Sequence, residues 1–190
     1  MQPSPYPTLS LFARDGRRKY LTPAERSAFV AAARGHPDAR LRALCLVLAY
    51  SGCRISEALA LTPAGFDPHE HFVVLRSLKK RGRMVLREVP LPDWLVAEVL
   101  ALAEGDRRLW PWSRGWGWVL VKQVMTQAGI LGLQASPKGL RHGFAIHAIR
   151  SGVPLNLVQR WLGHANIATT AIYADALGAE EREIATRMWP

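Results

Sequence analysis

The 190-residue chain has the size of one ordinary domain, and 49% of its residues are hydrophobic, enough to bury a sizeable core. No apolar run has the roughly 18 residues that a membrane helix needs, and the N-terminus lacks the pattern of a secretory signal, so we expect a cytoplasmic protein. The formal net charge of +10 favours a polyanionic partner, nucleic acid rather than a membrane surface.

The cysteines and histidines predict no metal site. Cys45 and Cys53 lie in one predicted helical region and have neither metal-ligand nor redox-motif spacing, so we expect buried thiols. His69 and His71 have no third ligand nearby, which favours a solvated turn.

The predicted elements begin after a Pro-rich and then basic N-terminal arm, residues 1–20, which we expect to be loosely held. The sequence Thr22-Pro23-Ala24-Glu25 has the form of a capping box and predicts a helix to about Gly35. A second helix, over 38–50, is apolar enough to be buried on nearly all sides. The segment "RISEALAL" has helical spacing and predicts a further helix to about residue 61.

Two strands are predicted next. The segments "HFVVLRSL" and "MVLREVPL" flank Lys79-Lys80-Arg81-Gly82-Arg83, which predicts a hairpin with a cationic tip. Further helices are expected at about 93–104, at 113–128, from Ser136-Pro137 onward, in "VPLNLVQRWLG" and around 167–174. The predicted fold is therefore mainly α with one small antiparallel β-sheet.

Two arginines are candidates for binding one phosphate. Arg54 follows a glycine turn at the start of a predicted helix, and Arg141 lies in the first turn of another helix, after Lys138. Arginine forks match phosphate oxygens and remain charged at any working pH, and helix N-termini add backbone N–H groups. Taken alone, Arg54 is better explained by a surface ion pair with Glu57, one turn away.

Tyr173 is a candidate nucleophile at such a phosphate. Its ordinary pKa near 10 leaves it neutral at pH 7, so it would need cationic neighbours or a base, and His164 could help. The displaced 5′ oxygen needs a proton, which Lys79 or Lys80 could donate from a flexible hairpin tip.

Four segments, in this order, resemble the catalytic domain of the tyrosine recombinases, the phage integrase family: "SGCRISEALAL", "SLKKRGRMVLREVPL", "SPKGLRHGFAIHAIRSG" and "WLGHANIATTAIYADA". The resemblance covers about residues 20–177. It implies a DNA breaking-rejoining fold over residues 21–177, flanked by the arm and by a C-terminal amphipathic tail, residues 178–190. The tail could pack on its own core or dock on a neighbouring subunit.

The resemblance also implies roles for particular residues. Arg54 and Arg141 would bind the phosphate, Tyr173 would be the nucleophile, and a hairpin lysine, Lys79 in preference to Lys80, would be the general acid.

Four more residues match positions in or near the family's active site. Lys138 stands where the family usually has histidine; because a cation cannot accept a proton as neutral histidine can, we expect it to bind phosphate or promote proton transfer. His164 matches the later His/Trp position, and Glu57 matches a supporting acidic position. His142 matches a frequent family residue, with core packing or support as plausible as direct contact.

The implied reaction is a transesterification. Tyr173 attacks the scissile phosphate, a 3′-phosphotyrosyl link forms and a 5′ hydroxyl is freed; a 5′ hydroxyl of the partner strand then reverses the step. Arginines would stabilise the transition state, so no cofactor, metal or ATP is expected. The implied partners are double-stranded DNA, further copies in a homotetrameric synapse and possible accessory DNA-binding proteins, in a prokaryotic nucleoid.

Only about 20 residues precede the first capped helix, whereas most family members carry a separate helical domain there. We therefore expect a catalytic-domain-only member, resembling small invertases or transposon- and plasmid-borne recombinases. Basic residues of the arm and the hairpin tip are expected to contact the DNA backbone: Arg17, Arg18, Lys19, Arg81 and Arg83.

Other interpretations remain open. Ala148, Gly152 and Val158 have helix-turn-helix spacing, which would suit a non-catalytic DNA-binding regulator; a cleavage-deficient recombinase relative and a type IB topoisomerase are further alternatives. A set of tryptophans could stack on bases, although packing between helices is favoured: Trp110, Trp112, Trp116 and Trp118.

Overall fold

The computed structural model describes residues 11–78 and 84–174. The helices are α1 (Pro23–Arg34), α2 (Ala39–Ser51), α3 (Ile55–Ala58), α4 (Asp93–Leu100), α5 (Arg114–Gln127), α6 (Pro137–Arg150), α7 (Leu155–Leu162) and α8 (Ala168–Ala171). The strands β1 (Phe66–Asp67), β2 (Phe72–Leu78) and β3 (Met84–Pro90) form one sheet in the order β1-β2-β3, with both pairings antiparallel. The predicted fold class is confirmed.

The start of α1 and the end of α2 follow from the residues found there. The Thr22 hydroxyl accepts from the Glu25 N–H at 3.2 Å, and the Glu25 carboxylate accepts from the Thr22 N–H at 2.8 Å, which completes the predicted capping box. At its far end α2 stops at Gly52, which has φ +61; a Cβ there would meet the Phe144 ring at 2.2 Å. Only glycine suits both that backbone conformation and that close approach.

Three helices are shorter than predicted: α3, α8 and α4, which ends at Leu100 and not at about 104. α3 has four residues and ends before Leu59 and Leu61, which are buried in the core. The Leu61 carbonyl accepts from the Leu109 N–H at 3.1 Å, and Pro63 then disfavours helix at Thr62. α8 also has only four residues. β1 was not predicted, since two residues are too few to show an alternating pattern.

The core consists of two clusters of buried apolar side chains. The larger joins α1, α2, α4 and α5 to the inner face of the sheet, and it contains both free thiols, Cys45 and Cys53, as predicted. The smaller joins Leu11 and the later part of α6 to α7 and Tyr173. Because Leu11 is buried and its carbonyl accepts from the Lys19 N–H at 2.8 Å, the expectation of a loosely held arm is wrong for residues 11–20.

The tryptophans divide into two groups. Trp110 is fully buried and donates its indole N–H to the Arg40 carbonyl at 2.7 Å, and Trp112 packs against the larger cluster. Trp116 and Trp118 are 52% and 44% exposed on α5, so the expected packing between helices is wrong for this second pair. In the described part of the chain, no helix has the length and apolarity needed to span a membrane.

Candidate active site

A cleft of about 710 Å³ lies between α3, the first half of α5, the first turns of α6 and the segment that follows α7. Six of the predicted site residues line it: Arg54, Lys138, Arg141, His142, His164 and Tyr173. Arg114 adds a further cation, and the described lining residues include no carboxylate. The described wall of the cleft is therefore positively charged.

Arg54 stands at the N-terminus of α3, where its side chain is 47% exposed toward the cleft. Its guanidinium donates to Glu57 Oε1 at 2.9 Å, and its backbone N–H donates to Glu57 Oε2 at 2.7 Å. The predicted pairing with Glu57 is thus present, but Glu57 is buried, so the pair is not a surface ion pair. Glu57 orients Arg54 and leaves part of the guanidinium open to the cleft.

Arg87 was not predicted from the sequence, yet it holds this part of the site together. Its side chain is 3% exposed, and it donates to both Glu57 oxygens, at 3.2 and 2.7 Å, and to the Ser77 hydroxyl. Ser77 in turn donates to Glu57 Oε1 at 2.7 Å. A signal was available: Arg87 is in phase with Val85 and Val89 on β3, and Val89 is buried.

The pKa of Glu57 reports the strength of this network. Burial raises the pKa, but the hydrogen bonds and the charge of Arg87, with the Arg54 N–H and the Ser77 hydroxyl, outweigh burial and lower it to about 2. Glu57 is therefore ionised at neutral pH and balances one of its two arginine partners.

Arg141 is held differently, by neutral groups. It is 7% exposed and donates to the Gly52 carbonyl at 2.8 Å and to the Leu162 carbonyl at 2.7 Å. Burial lowers its pKa to about 10, and repulsion from Arg54 contributes. An anion between the two guanidiniums would relieve this repulsion, as expected of a phosphate site.

The two buried arginines also fix the chain just before His164. Arg87 donates its Nε–H to the Trp161 carbonyl at 2.7 Å, next to the Leu162 carbonyl that Arg141 holds. α7 then ends at Gly163, which has φ +67 and where a Cβ would lie 3.2 Å from the Arg87 side chain. These contacts and the turn at Gly163 fix the backbone just before His164, which lines the cleft.

His142, His164 and Tyr173 form a layer of aromatic side chains at the cleft. Tyr173 is 1% exposed overall, and its Oη lies 2.8 Å from His142 Nδ1, at hydrogen-bond distance. The His164 ring stacks on the Tyr173 ring at 6.2 Å between centroids and 16° between planes, and its Nδ1 lies 2.9 Å from the Thr170 hydroxyl. The predicted proximity of His164 and Tyr173 is present.

The members of this layer are neutral at pH 7. Burial lowers the pKa of His142 to about 3, helped by the charges of Lys138, Arg141 and Lys19. Burial likewise lowers the pKa of His164 to about 3. For Tyr173, burial raises the pKa to about 12, against the opposing charges of Arg141 and Arg54.

The remaining predicted residues have different positions. Lys138 is exposed in the first turn of α6, where it lines the cleft. Arg17 is exposed and pairs with Asp15, whereas Arg18 is half-buried and pairs with Glu25. The hairpin-tip candidates lie outside the described residues: Lys79, Lys80, Arg81 and Arg83.

Comparison with known proteins identifies the class. The model of the phage integrase family matches residues 19–180, and the chain belongs to this family. The XerA recombinase structure superimposes with a TM-score of 0.73 at 27% identity, covering 90% of this chain and 65% of that one. The catalytic domain of bacteriophage HP1 integrase gives a TM-score of 0.65 at 23% identity, over 82% of this chain and 86% of that one. The fold is that of tyrosine recombinase catalytic domains.

Curated relatives agree with this assignment. The chain is 35% identical over 160 residues to the tyrosine recombinase XerD of Corynebacterium glutamicum, covering 77% of this chain and 52% of that protein. It is 32% identical over 147 residues to the tyrosine recombinase XerA of Thermococcus kodakarensis, covering 70% of this chain and 50% of that protein. The chain thus spans about half the length of these relatives.

Proposed function

We propose that this chain cleaves and rejoins double-stranded DNA at a specific site, with Tyr173 as the nucleophile and a 3′-phosphotyrosyl link as the intermediate. One observation carries the proposal: the Tyr173 side chain lines the same cleft as Arg54, Arg141 and Lys138, and no carboxylate is among the described lining residues. A cleft with this charge attracts a phosphodiester and presents a hydroxyl nucleophile to it.

The arginines supply the electrostatic part of this reaction. Arg54, partly open to the cleft, and Arg141, fixed by two carbonyls, would contact the non-bridging oxygens and stabilise the charge that builds up during attack. Lys138 would add a third cation to the phosphate. Glu57 and Arg87 would hold Arg54 in place without touching the DNA.

The leaving 5′ oxygen needs a proton, for which we propose Lys79, with Lys80 as the alternative. β2 ends and β3 begins on either side of these residues, and Ser77 at the end of β2 belongs to the Glu57 network. The hairpin therefore emerges from the part of the fold that carries Arg54.

The partner proposals follow from the same site. A structure of XerH recombinase bound to a difH substrate and one of Tn1549 integrase bound to transposon DNA share this fold, and we propose double-stranded DNA as the partner here. Exchange of strands between two sites would require four copies of the chain. Arg17, Lys19, Arg81 and Arg83 would contact the DNA backbone, whereas Arg18 is half-buried and would not.

Trapping the covalent intermediate tests this function. Nicked duplexes that tile the DNA flanking the gene are incubated with the protein and denatured, and a protein–DNA adduct is sought. The adduct is expected with the unchanged chain and with Tyr50→Phe, a matched control at the end of α2, outside the cleft. It is expected to be lost with Tyr173→Phe.

Three results would overturn the proposal. An adduct that persists in Tyr173→Phe would exclude Tyr173 as the nucleophile. Specific DNA binding without any adduct in the unchanged chain would favour a DNA-binding protein that does not cleave. Relaxation of supercoiled DNA without exchange of strands would favour a topoisomerase.

A further inference from the structure

The proposed reaction leaves one proton unassigned. Tyr173 carries its proton at neutral pH, because burial raises its pKa to about 12, so attack on phosphorus requires a group that removes it. Lys138 is a poor acceptor while it is cationic. The acceptor must therefore be another group at the Tyr173 hydroxyl.

The geometry separates the two histidines of the cleft. His142 Nδ1 lies 2.8 Å from Tyr173 Oη, within the range that a general base requires. His164 instead stacks its ring on the Tyr173 ring, and its Nδ1 pairs with the Thr170 hydroxyl at 2.9 Å. In the described structure His142 has the direct contact with the reacting oxygen.

We propose that His142 is a catalytic residue that accepts the Tyr173 proton, an inference that rests on the proposed function. As the Oη–P bond forms and the P–O5′ bond breaks, the Oη–H proton moves to His142 Nδ1, and the 5′ oxygen takes a proton from the hairpin lysine. In the reverse step a 5′ hydroxyl attacks phosphorus and gives its proton to the hairpin lysine, while the P–Oη bond breaks and Oη takes back the proton held on His142. No electrons are gained or lost.

The second ring nitrogen of His142 agrees with this role. To accept a proton at Nδ1, the neutral ring must carry its hydrogen on Nε2. Nε2 is buried and, among the described residues, has no hydrogen-bond partner. Buried polar atoms without partners are rare in native proteins, and here one lies on the ring that contacts the nucleophile.

The charges around His142 keep it ready to accept. Lys138 and Arg141 on its own helix and Lys19 on the N-terminal segment oppose its protonation from solvent, and burial opposes it more; His164 also faces it across the cleft. Transfer from Tyr173 differs, because the proton moves within the site and the net charge does not change. A bound phosphate would further stabilise the imidazolium that forms.

The test compares single-turnover cleavage by the unchanged chain and by His142→Asn, whose amide oxygen can still occupy the position of Nδ1 but is not a base. On a nicked duplex that forms the adduct with the unchanged chain, we expect the cleavage rate of His142→Asn to be about 10²–10³-fold lower, with unchanged DNA affinity. The variant's rate should rise about tenfold per pH unit as hydroxide replaces the base. His147→Asn, on the same helix but outside the cleft, should match the unchanged chain.

The outcomes separate the two proposals. A His142→Asn protein that cleaves at the normal rate with the normal pH profile would overturn a role in proton transfer and leave the recombinase function intact. No adduct from the unchanged chain would overturn the function itself.

A second measurement needs no substitution at His142, in case His142→Asn does not fold. Tyr173 is replaced with 3,5-difluorotyrosine, whose hydroxyl is more acidic. A rate close to that of the unchanged chain is expected if His142 removes the proton during attack. A steep rise in rate would mean that Tyr173 ionises without a base, and would overturn the inference.

Discussion

The two walls of the cleft solve opposite electrostatic problems. Behind the wall formed by α3, Glu57 is ionised, with its pKa lowered to about 2, and it is shared by Arg54, which lines the cleft, and Arg87. On the wall formed by α6 and the segment after α7, His142 and Tyr173 are held neutral by burial and bonded to each other. One wall stores fixed charge, and the other holds groups that can exchange a proton.

This difference explains why the buried groups of the two walls have different partners. A fixed charge can remain ionised in the interior only when it is paired and hydrogen-bonded, and Arg87 provides this for Glu57. A proton-transfer group must avoid such a partner, because a permanent counter-ion would commit it to one protonation state. Arg141, on α6, is held by the neutral Gly52 and Leu162 carbonyls.

The largest expected effect comes from removing the support of the charged wall. Arg87→Met leaves the buried Glu57 carboxylate without its main partner, so we expect a loss of about 3–5 kcal/mol in the free energy of unfolding, measured by urea denaturation. Arg76→Met, on the exposed face of the neighbouring strand, is the matched control and should change little.

A double variant sharpens this prediction. Arg87→Met combined with Glu57→Gln removes the unpaired charge, and it should lose less stability than the two single variants added together. Strict additivity would show that the two side chains do not depend on each other.

The next effect concerns Arg141. Arg141→Lys keeps a positive charge but cannot span both carbonyls with one planar fork, so we expect adduct formation to slow by about 10²–10³-fold in single-turnover cleavage. Arg26→Lys, which alters an arginine that donates to the Ala49 carbonyl outside the cleft, should cleave normally. A normal rate in Arg141→Lys would mean that charge alone suffices.

The contributions of His142 and Glu57 to the free energy of unfolding should be lost in different pH ranges. The folded state lowers the pKa of His142 from 6.5 to about 3, so the unfolded chain takes up this proton first and stability falls as the pH drops through that range. For Glu57 the corresponding range runs from 4.5 to about 2. The plot of unfolding free energy against pH should therefore have a smaller slope in the upper range with His142→Asn and in the lower range with Glu57→Gln. The same slope in both variants would contradict the assignment.

The smallest effect on stability is expected from Arg54→Ala. The Arg54 side chain is 47% exposed, and Arg87 still pairs with Glu57, so the loss in unfolding free energy should be less than about 1 kcal/mol. The same variant should form the adduct poorly, because it lacks one of the two arginines proposed to bind phosphate. A large loss of stability would instead assign Arg54 to the support of the fold.

Local signals predicted where helices begin better than how long they are. The caps at Thr22, Ser113 and Ser136 are all present, because a cap depends on residues within one helical turn. α3, α4 and α8 are shorter than predicted, and after α3 a contact with a distant segment competes with helix formation.

The candidate site was predictable where a residue type and its order along the chain define a role. Arg54, Arg141, His164 and Tyr173 were found in this way, and all line one cleft. Arg87 was missed because a single arginine in a strand has no motif, although its inward phase on β3 was visible in the sequence.

The sequence by itself determined the family, the order of the elements and the residues that could bind and attack a phosphate, because these depend on residue types at short spacings. Only the tertiary structure decided which groups touch. His142 and Tyr173 are 31 residues apart, and Glu57 and Arg87 are 30 apart, so their contacts exist only after α6, α7 and the sheet have packed. In that packed state burial keeps His142 and Tyr173 neutral, whereas the charge and hydrogen bonds of Arg87 keep Glu57 ionised against the effect of burial.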